Sequence, residues 1–481
     1  IALSLVGSEM CIRDRLGGAG RSYHCFQRVS AMKSFLNCVM VLALLLFTHA
    51  SARAQTFQET AADQWHQFRG PLATGEAPHA TPPTEWSEEK NVKWKTELPG
   101  SGSSTPIVWK NRIFVLATRP TEDIDESIPT PEDQPNRPFG IKFENRIFEF
   151  IVLCLDRETG EEIWRQVARR CVPFQGTHPD NNFASGTPTT DGRYLYVPFG
   201  SQGYYCYDLD GKLIWERDLG NVETRLSFGE GASLTIAGKK LIIVRDNENQ
   251  SYIEVLNTTD GKTLWRRDRD EPSAWATPLV IRQGNSEYVV TNASNRVRTY
   301  DLDTGDLIWE CGGQVSNVTP SPVHLGGTVY CASGYRGSAL QAIEVDSKGD
   351  ITDTDQVTWS LNKDTPYIPS LLLYRGHVYF TKSLNGIVSS VSTENGQIVL
   401  EATRLPNVRA MYASPVAANG YIYLFGRDGQ ATVIKAGETF EVVSENRLDD
   451  RVDASPALVG KQLFVRGLKA CLLYTSPSPR D

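Results

Sequence analysis

A short acidic turn, a glycine, three residues and a tryptophan recur along this chain. The phrase runs from Asp156 through Gly160 to Trp164, from Asp208 through Gly211 to Trp215, from Asn257 through Gly261 to Trp265 and from Asp301 through Gly305 to Trp309. Degenerate copies follow at Gly349 (with Trp359), Gly396 and Gly437. Self-similarity at a period of roughly 40–50 residues marks a repeat architecture, which constrains the fold more than any composition can. The glycine supplies the positive φ that other residues resist, and the preceding Asp or Asn can hydrogen-bond its own backbone. Gly160, Gly211, Gly261 and Gly305, with Trp164, Trp215, Trp265 and Trp309, are therefore read as packing devices between repeats rather than as ligand contacts.

Each repeat carries four short β signals. A Ser/Thr-Pro pair opens an apolar run, as at Thr105, Thr277 and Ser414. Alternating runs such as Tyr194–Pro198 and Tyr421–Phe425 follow, then a third run such as Tyr204–Tyr207 or Val297–Tyr300, then the glycine turn and the tryptophan strand. Nothing after the leader keeps a 3.6-residue apolar period, so a helical solenoid is excluded in favour of propeller blades. Inner-strand starts fall near Thr105, Thr187, Ser233, Thr277, Ser321, Ser370, Ser414 and Ser455, although Ser233 and Ser370 lack the proline. An orphan strand around Trp94, Asn91–Glu97, precedes them all. The expectation is an all-β, eight-bladed propeller of four-stranded antiparallel blades. The N-terminal strand closes the last blade, which is truncated at the C-terminus, so that no free sheet edge is left at the joint.

The ends read differently. Residues 471–481 equal one reading frame of a transposase sequencing adaptor, and residues 5–14 equal a frame of its reverse complement. Residues 1–31 are set aside as adaptor and non-native leader, and 471–481 as adaptor. On this reading blade eight has lost its third strand. Met32 and Lys33 start a signal peptide spanning 32–54, with an apolar core from Phe35 to Phe47 and cleavage after Ala54. That core is too short to span a membrane. Residues 55–90 then form an N-terminal extended segment, and 91–470 the propeller. The expected location is periplasmic or secreted, without a transmembrane anchor after cleavage, and as a monomer.

The net charge of −8 comes without a basic stripe, which excludes nucleic acid as a partner. Of nine cysteines, Cys11 and Cys471 fall in the adaptor segments, and Cys25 and Cys38 precede the cleavage site. Of the remaining five, four fall in or beside strand runs and resemble small buried hydrophobes. Cys154 and Cys206, at equivalent places in neighbouring blades, are the one pair for which a disulfide is conceivable. No Cys/His cluster suggests a metal site. An insertion in blade one, Arg119 to Asn145, is rich in Pro, Glu and Asp and reads as a flexible, solvated acidic loop.

The phrase at 156–164 and 301–309, with looser copies at 208–215 and 257–265, resembles the pyrroloquinoline-quinone-like (PQQ-like) β-propeller family. The prelude Trp65–Pro71 and the strand Asn91–Lys95 resemble its secreted bacterial branch, and the resemblance covers 65–470. It implies one of two activities. Members include quinoprotein dehydrogenases that hold PQQ and Ca²⁺ in a central funnel, and non-catalytic scaffolds of the BamB type. The adjacent cysteine pair of the alcohol-dehydrogenase branch is missing here, and no catalytic Asp or Ca²⁺ ligand set can be carried over. The expectation is a ligand-binding or protein-interaction scaffold; the alternative is a PQQ-dependent oxidoreductase acting on an alcohol or sugar.

A ligand or partner protein would sit where the loops that start the inner strands, and those between second and third strands, converge on the axis. Those loops carry His178 and Asn182 in blade two, Arg245, Asp246 and Asn247 in blade three, and Trp275 and Asn317 beyond. Tyr335 and Arg336, Tyr367, Lys382, Tyr412, Arg427 with Asp428, and Asp453 follow. Arginines fork onto carboxylates and aromatics stack on planar rings, which suits a quinone tricarboxylate or an anionic sugar. Trp275, Tyr335, Tyr367 and Tyr412 alone would suit a carbohydrate. No Ser/His/Asp signature, glycine-rich phosphate loop or HExxH motif is present.

Overall fold

The computed structural model describes Phe57 and residues 59–475. The expected leader and signal segments lie outside the described residues. Eight sheets form, each antiparallel and four-stranded at its core. Blades one to seven occupy residues 107–171, 189–217, 235–269, 279–311, 323–361, 372–404 and 416–447. Inner strands such as Ile107–Trp109 and Val416–Ala418 are short and wholly buried, whereas outer strands such as Glu162–Cys171 mix exposed and half-buried residues. Among the described residues no helix is long and apolar enough to cross a membrane.

The repeated phrase acts between blades. The Trp94 indole donates to the Arg157 carbonyl, Trp164 to Leu209, Trp215 to Thr258, Trp265 to Leu302 and Trp309 to Val345, at 2.9–3.1 Å. Each acceptor lies at the glycine turn of the next blade. At Gly160, Gly211, Gly261 and Gly305, all with φ of 68–87°, a Cβ would come within 2.5–2.9 Å of that indole. Two degenerate copies differ. Trp359 packs on Gly396 rather than serving Gly349, which has open space around it, as Gly437 does. Gly349 instead begins a two-residue strand, Gly349–Asp350, lying parallel to the edge of blade four. Cys154 and Cys206 face the tryptophans of their own blades across the ladder and stay free, so the disulfide between them is not formed.

Blade eight comprises Ala457–Val459, Gln462–Arg466, Ala470–Thr475 and, as its outer strand, Val92–Glu97. The N-terminal strand thus closes the ring as expected. Its third strand, expected to be missing, is supplied by Ala470–Thr475, with Trp94 opposite Leu473. Cys471, Leu472, Leu473 and Tyr474 are fully buried. A continuous apolar run of this kind suits a strand covered on both faces, whichever DNA encodes it. Arg466 reaches across the same joint and donates to the backbone of Ser104 and Leu116 in blade one.

The segment ahead of the closing strand is a strap across the ring. Trp65 forms an antiparallel bridge with Val108 of blade one, and the His66 carbonyl accepts from Thr190 of blade two. Arg69 then donates to the carbonyls of Leu371 (2.8 Å) and Pro415 (2.7 Å), at the starts of blades six and seven. Gly75 and Ala77 pair with Ala417, and Thr81 with Gly460. Blades two and six are opposite in a ring of eight, so Gln67 and Phe68 cross its centre. Further on, Trp86 stacks on Tyr423 and Phe425 and tilts against Tyr474. It fills the wedge place between blades seven and eight, where the outer strand of blade seven carries no tryptophan.

Candidate functional site: a closed cup on the propeller axis

The eight inner-strand starts meet in a belt. The Thr105 amide donates to Thr187 Oγ1 (3.0 Å), Thr187 to Ser233 (2.9 Å), Ser233 to Thr277 (3.1 Å) and Thr277 to Ser321 (2.9 Å). Ser321 donates to Ser370 (3.0 Å), Ser370 to Ser414 (2.9 Å) and Ser414 to Ser455 (3.0 Å). This belt explains the Ser/Thr-Pro signal. The hydroxyl stitches one blade to the one before it, and the proline after it fixes φ while lacking an amide that would need an acceptor. Ser233 and Ser370 take their places in the belt without the proline.

All eight hydroxyls line a cavity of about 420 Å³. Phe68 of the strap reaches it from the face that carries the turns between first and second strands. The opposite face carries the ring-shaped mouth: Phe139, Phe228, Trp275, Tyr335, Tyr367 and Tyr412, with His178, Asp180 and Asp453 among them. Tyr335 and Tyr367 lie 5.0 Å apart by ring centroids, and the Trp275 indole is pinned to the Gly229 carbonyl at 2.7 Å. His178 sits 5.1 Å from both Phe139 and Phe228. Its Nδ1 accepts the Asp180 amide at 3.1 Å, and burial lowers its pKa, so it is neutral at neutral pH.

The charges at the mouth are paired. Arg427 donates to Asp453 Oδ1 (2.8 Å) and to Asp180 Oδ1 (2.7 Å), with its guanidinium 3.7 Å above the Tyr412 ring. Arg451 donates to Asp453 (2.8 Å) and Asp180 (3.1 Å), and the Tyr412 hydroxyl donates to Asp180 (3.1 Å). Burial pushes the Asp453 carboxyl up to about 6, against the opposing pull of Arg427. No Lys or Arg lines the cavity itself. Among the described residues no group of three or more His, Cys, Asp or Glu is placed to hold a metal ion.

Of the residues expected at the funnel, His178, Trp275, Tyr335, Tyr367, Tyr412 and Asp453 line the cavity, and Arg427 braces it. The others do not join them. Arg245 is buried against Glu230 and Tyr252, and Asp246 is locked to Arg269 at 2.7 Å. Asn247 caps its own loop, Asn182 holds Ser103, and Lys382 pairs with Asp364. Asn317 is buried with φ 56° beside the Tyr367 hydroxyl but outside the cavity lining, and Arg336 and Asp428 are exposed, with the Arg336 guanidinium 5.2 Å over the Tyr335 ring. The reason is common to most: a buried charge or amide has to be satisfied close by, which turns a loop residue into a blade brace.

Sequence reasoning placed Asp180 in the blade-two funnel loop but missed Phe139, Phe228, Arg451 and Phe68. The insertion expected to be a flexible acidic loop is instead built. Gln134 bonds the carbonyls of Pro129 and Phe143, Ile141 is buried, and Arg137 lies 4.1 Å over the Phe143 ring. Three apolar residues within four positions and an aromatic next to a glycine, Phe139-Gly140, were the available signal in an otherwise acidic stretch.

Residues 149–402 match the family model described as outer membrane protein assembly factor BamB. The chain belongs to this PQQ-like propeller family. A curated relative is the outer membrane protein assembly factor BamB of Moranella endobia (strain PCIT), 25% identical over 265 residues. That alignment covers 51% of this chain and 61% of the relative, so it spans less than two thirds of that protein. Among solved structures, a quinohemoprotein alcohol dehydrogenase from Comamonas testosteroni superposes with a TM-score of 0.59 at 12% identity, over 88% of this chain and 83% of that one. A second such dehydrogenase, from Pseudomonas putida HK5, gives 0.57 at 12% identity, over 89% and 84%. At these identities the family shares its propeller with both, and the likeness is one of fold.

Proposed function

We propose that this PQQ-like propeller is a non-catalytic binding module working outside the cytoplasm, and that it holds its ligand or partner at the mouth of the axial cup. The observation that carries this reading is the cup itself. A cavity of about 420 Å³ has an aromatic rim and a far end crossed by the strap, within the range of about 300–1,000 Å³ usual for ligand sites. The signal-peptide reading of 32–54 and the BamB name of the matching relative support the location. PQQ does not fit this cup. It is a tricarboxylate, and the described residues that line the cup include no cation; Arg427 and Arg451 beside it are already engaged by Asp180 and Asp453. Three further negative charges would stand beside two carboxylates without a counter-charge.

The test is positional. A photo-crosslinking side chain placed at Phe139 or Tyr335 is expected to capture a ligand or partner in cells that export the protein. One placed at the exposed Leu264 on the outer strand of blade three is not. Substrate-dependent dye reduction after addition of PQQ and Ca²⁺ would overturn the non-catalytic reading.

A further inference from the structure

Resting on the binding-module reading, we propose that the cup binds a neutral carbohydrate, seated as one or two hexose rings at the end of a glycan. Three features of the lining point to it. The rim offers flat aromatic faces, chiefly Trp275 and the Tyr335–Tyr367 pair, and a pyranose presents C–H faces that pack on such rings. Below the rim lies the hydroxyl belt. Seven of its oxygens already accept a backbone N–H, which leaves each O–H proton and one lone pair for a ligand. The eighth, Thr105 Oγ1, lies at the joint between blades eight and one. It is 1% exposed and has no hydrogen-bond partner among the described residues. A ligand whose groups both donate and accept hydrogen bonds would satisfy such a belt. An apolar side chain would strand it, because the buried O–H donors would be left unpaired.

Charge narrows the class further. Asp180 and Asp453 can accept sugar hydroxyls, and Arg427 and Arg451 hold them in place while cancelling their charge. The two carboxylates of the lining are thus balanced by arginines, no Lys or Arg is among the described residues of the wall, and the cup disfavours uronates and sugar phosphates. Size agrees. About 420 Å³ lies within the range usual for small-ligand sites, so the terminal hexose of a glycan fits.

The experiment is isothermal titration of the full chain with cellotriose, maltotriose and mannotriose, with trigalacturonate and PQQ as anionic probes, followed by an array of neutral glycans. Binding of at least one neutral glycan, with a change in tryptophan fluorescence, is expected. Trp275→Ala and Tyr367→Ala should weaken it at least tenfold, while Trp275→Phe, which keeps a ring, and Leu264→Ser, far from the cup, should retain it. Thermal melts of each variant separate lost binding from lost folding. Silence across the neutral glycans, or binding of the anionic probes alone, overturns the proposal. If the array is silent while the crosslinker at Phe139 captures a protein, the carbohydrate fails and the binding-module reading stands. If neither responds, both fail.

Discussion

Asp453 shows how a single carboxylate couples the mouth of the cup to pH. Its pKa is raised to about 6, chiefly because burial disfavours the charged form. A group whose folded pKa lies above its unfolded value adds stability that is fully present below the unfolded value, near 4, and is lost as pH rises through 6. Asp453→Asn removes that dependence. The melting temperature of the variant relative to the parent should therefore rise between pH 4 and pH 7, read by calorimetry at both ends; a difference that falls over this range would refute the assignment. Arg69 illustrates the opposite case. It is buried without any acid, held by carbonyls alone, and desolvation lowers its pKa to about 9. The sequence placed Asp453 among the loops converging on the axis but gave no sign of its burial, and Arg69 is one letter of a prelude whose partners lie some 300 residues away.

Among elements, the glycine turn and the tryptophan strand form one unit that spans two blades. Gly305→Ala would place a Cβ against the Trp265 indole in a backbone with φ 73°; Gly349→Ala meets the same strain at φ 72° with open space around it. Backbone strain alone costs about 1–2 kcal/mol. Gly349→Ala should lose about that much in urea unfolding, and Gly305→Ala clearly more. Equal losses would mean that the tryptophan does not need the glycine surface. The turn was legible because its chemistry is local: a positive φ and an Asx bond leave their mark within five residues. The degenerate copies were legible only in part, since Gly349 and Gly396 look alike as letters and differ in whether an indole arrives from the neighbouring blade. The insertion in blade one was misjudged for a related reason. Its acidic composition is a property of the whole loop, but Phe139, Ile141 and the Gln134 bonds anchor it at a few points.

At the scale of the molecule, closure is shared by chain segments far apart in sequence. Val92–Glu97 completes blade eight, Arg466 clasps blade one, and the strap ties blades one and two to six and seven. A chain ending at Ala470 would leave Val92–Glu97 without its ladder partner and remove two buried leucines and a tyrosine. A loss on the order of 5 kcal/mol is expected from that burial, at about 1.5–3 kcal/mol for each large side chain. Chemical unfolding of the shortened and complete chains measures it, and unchanged stability would show that the strand contributes nothing to closure. The blade count, the four-strand pattern, the closing strand and the eight hydroxyls of the belt could all be read from the letters. Each is repeated, and repetition turns weak local signals into a strong one. The cup could not be read in this way. Its floor comes from a strap that crosses the axis, its rim from an insertion, and its charge balance from pairings between Asp180 and arginines more than 240 residues later. Contacts of that span follow from ring geometry, which brings distant loops to one axis, and no local preference of the chain records them.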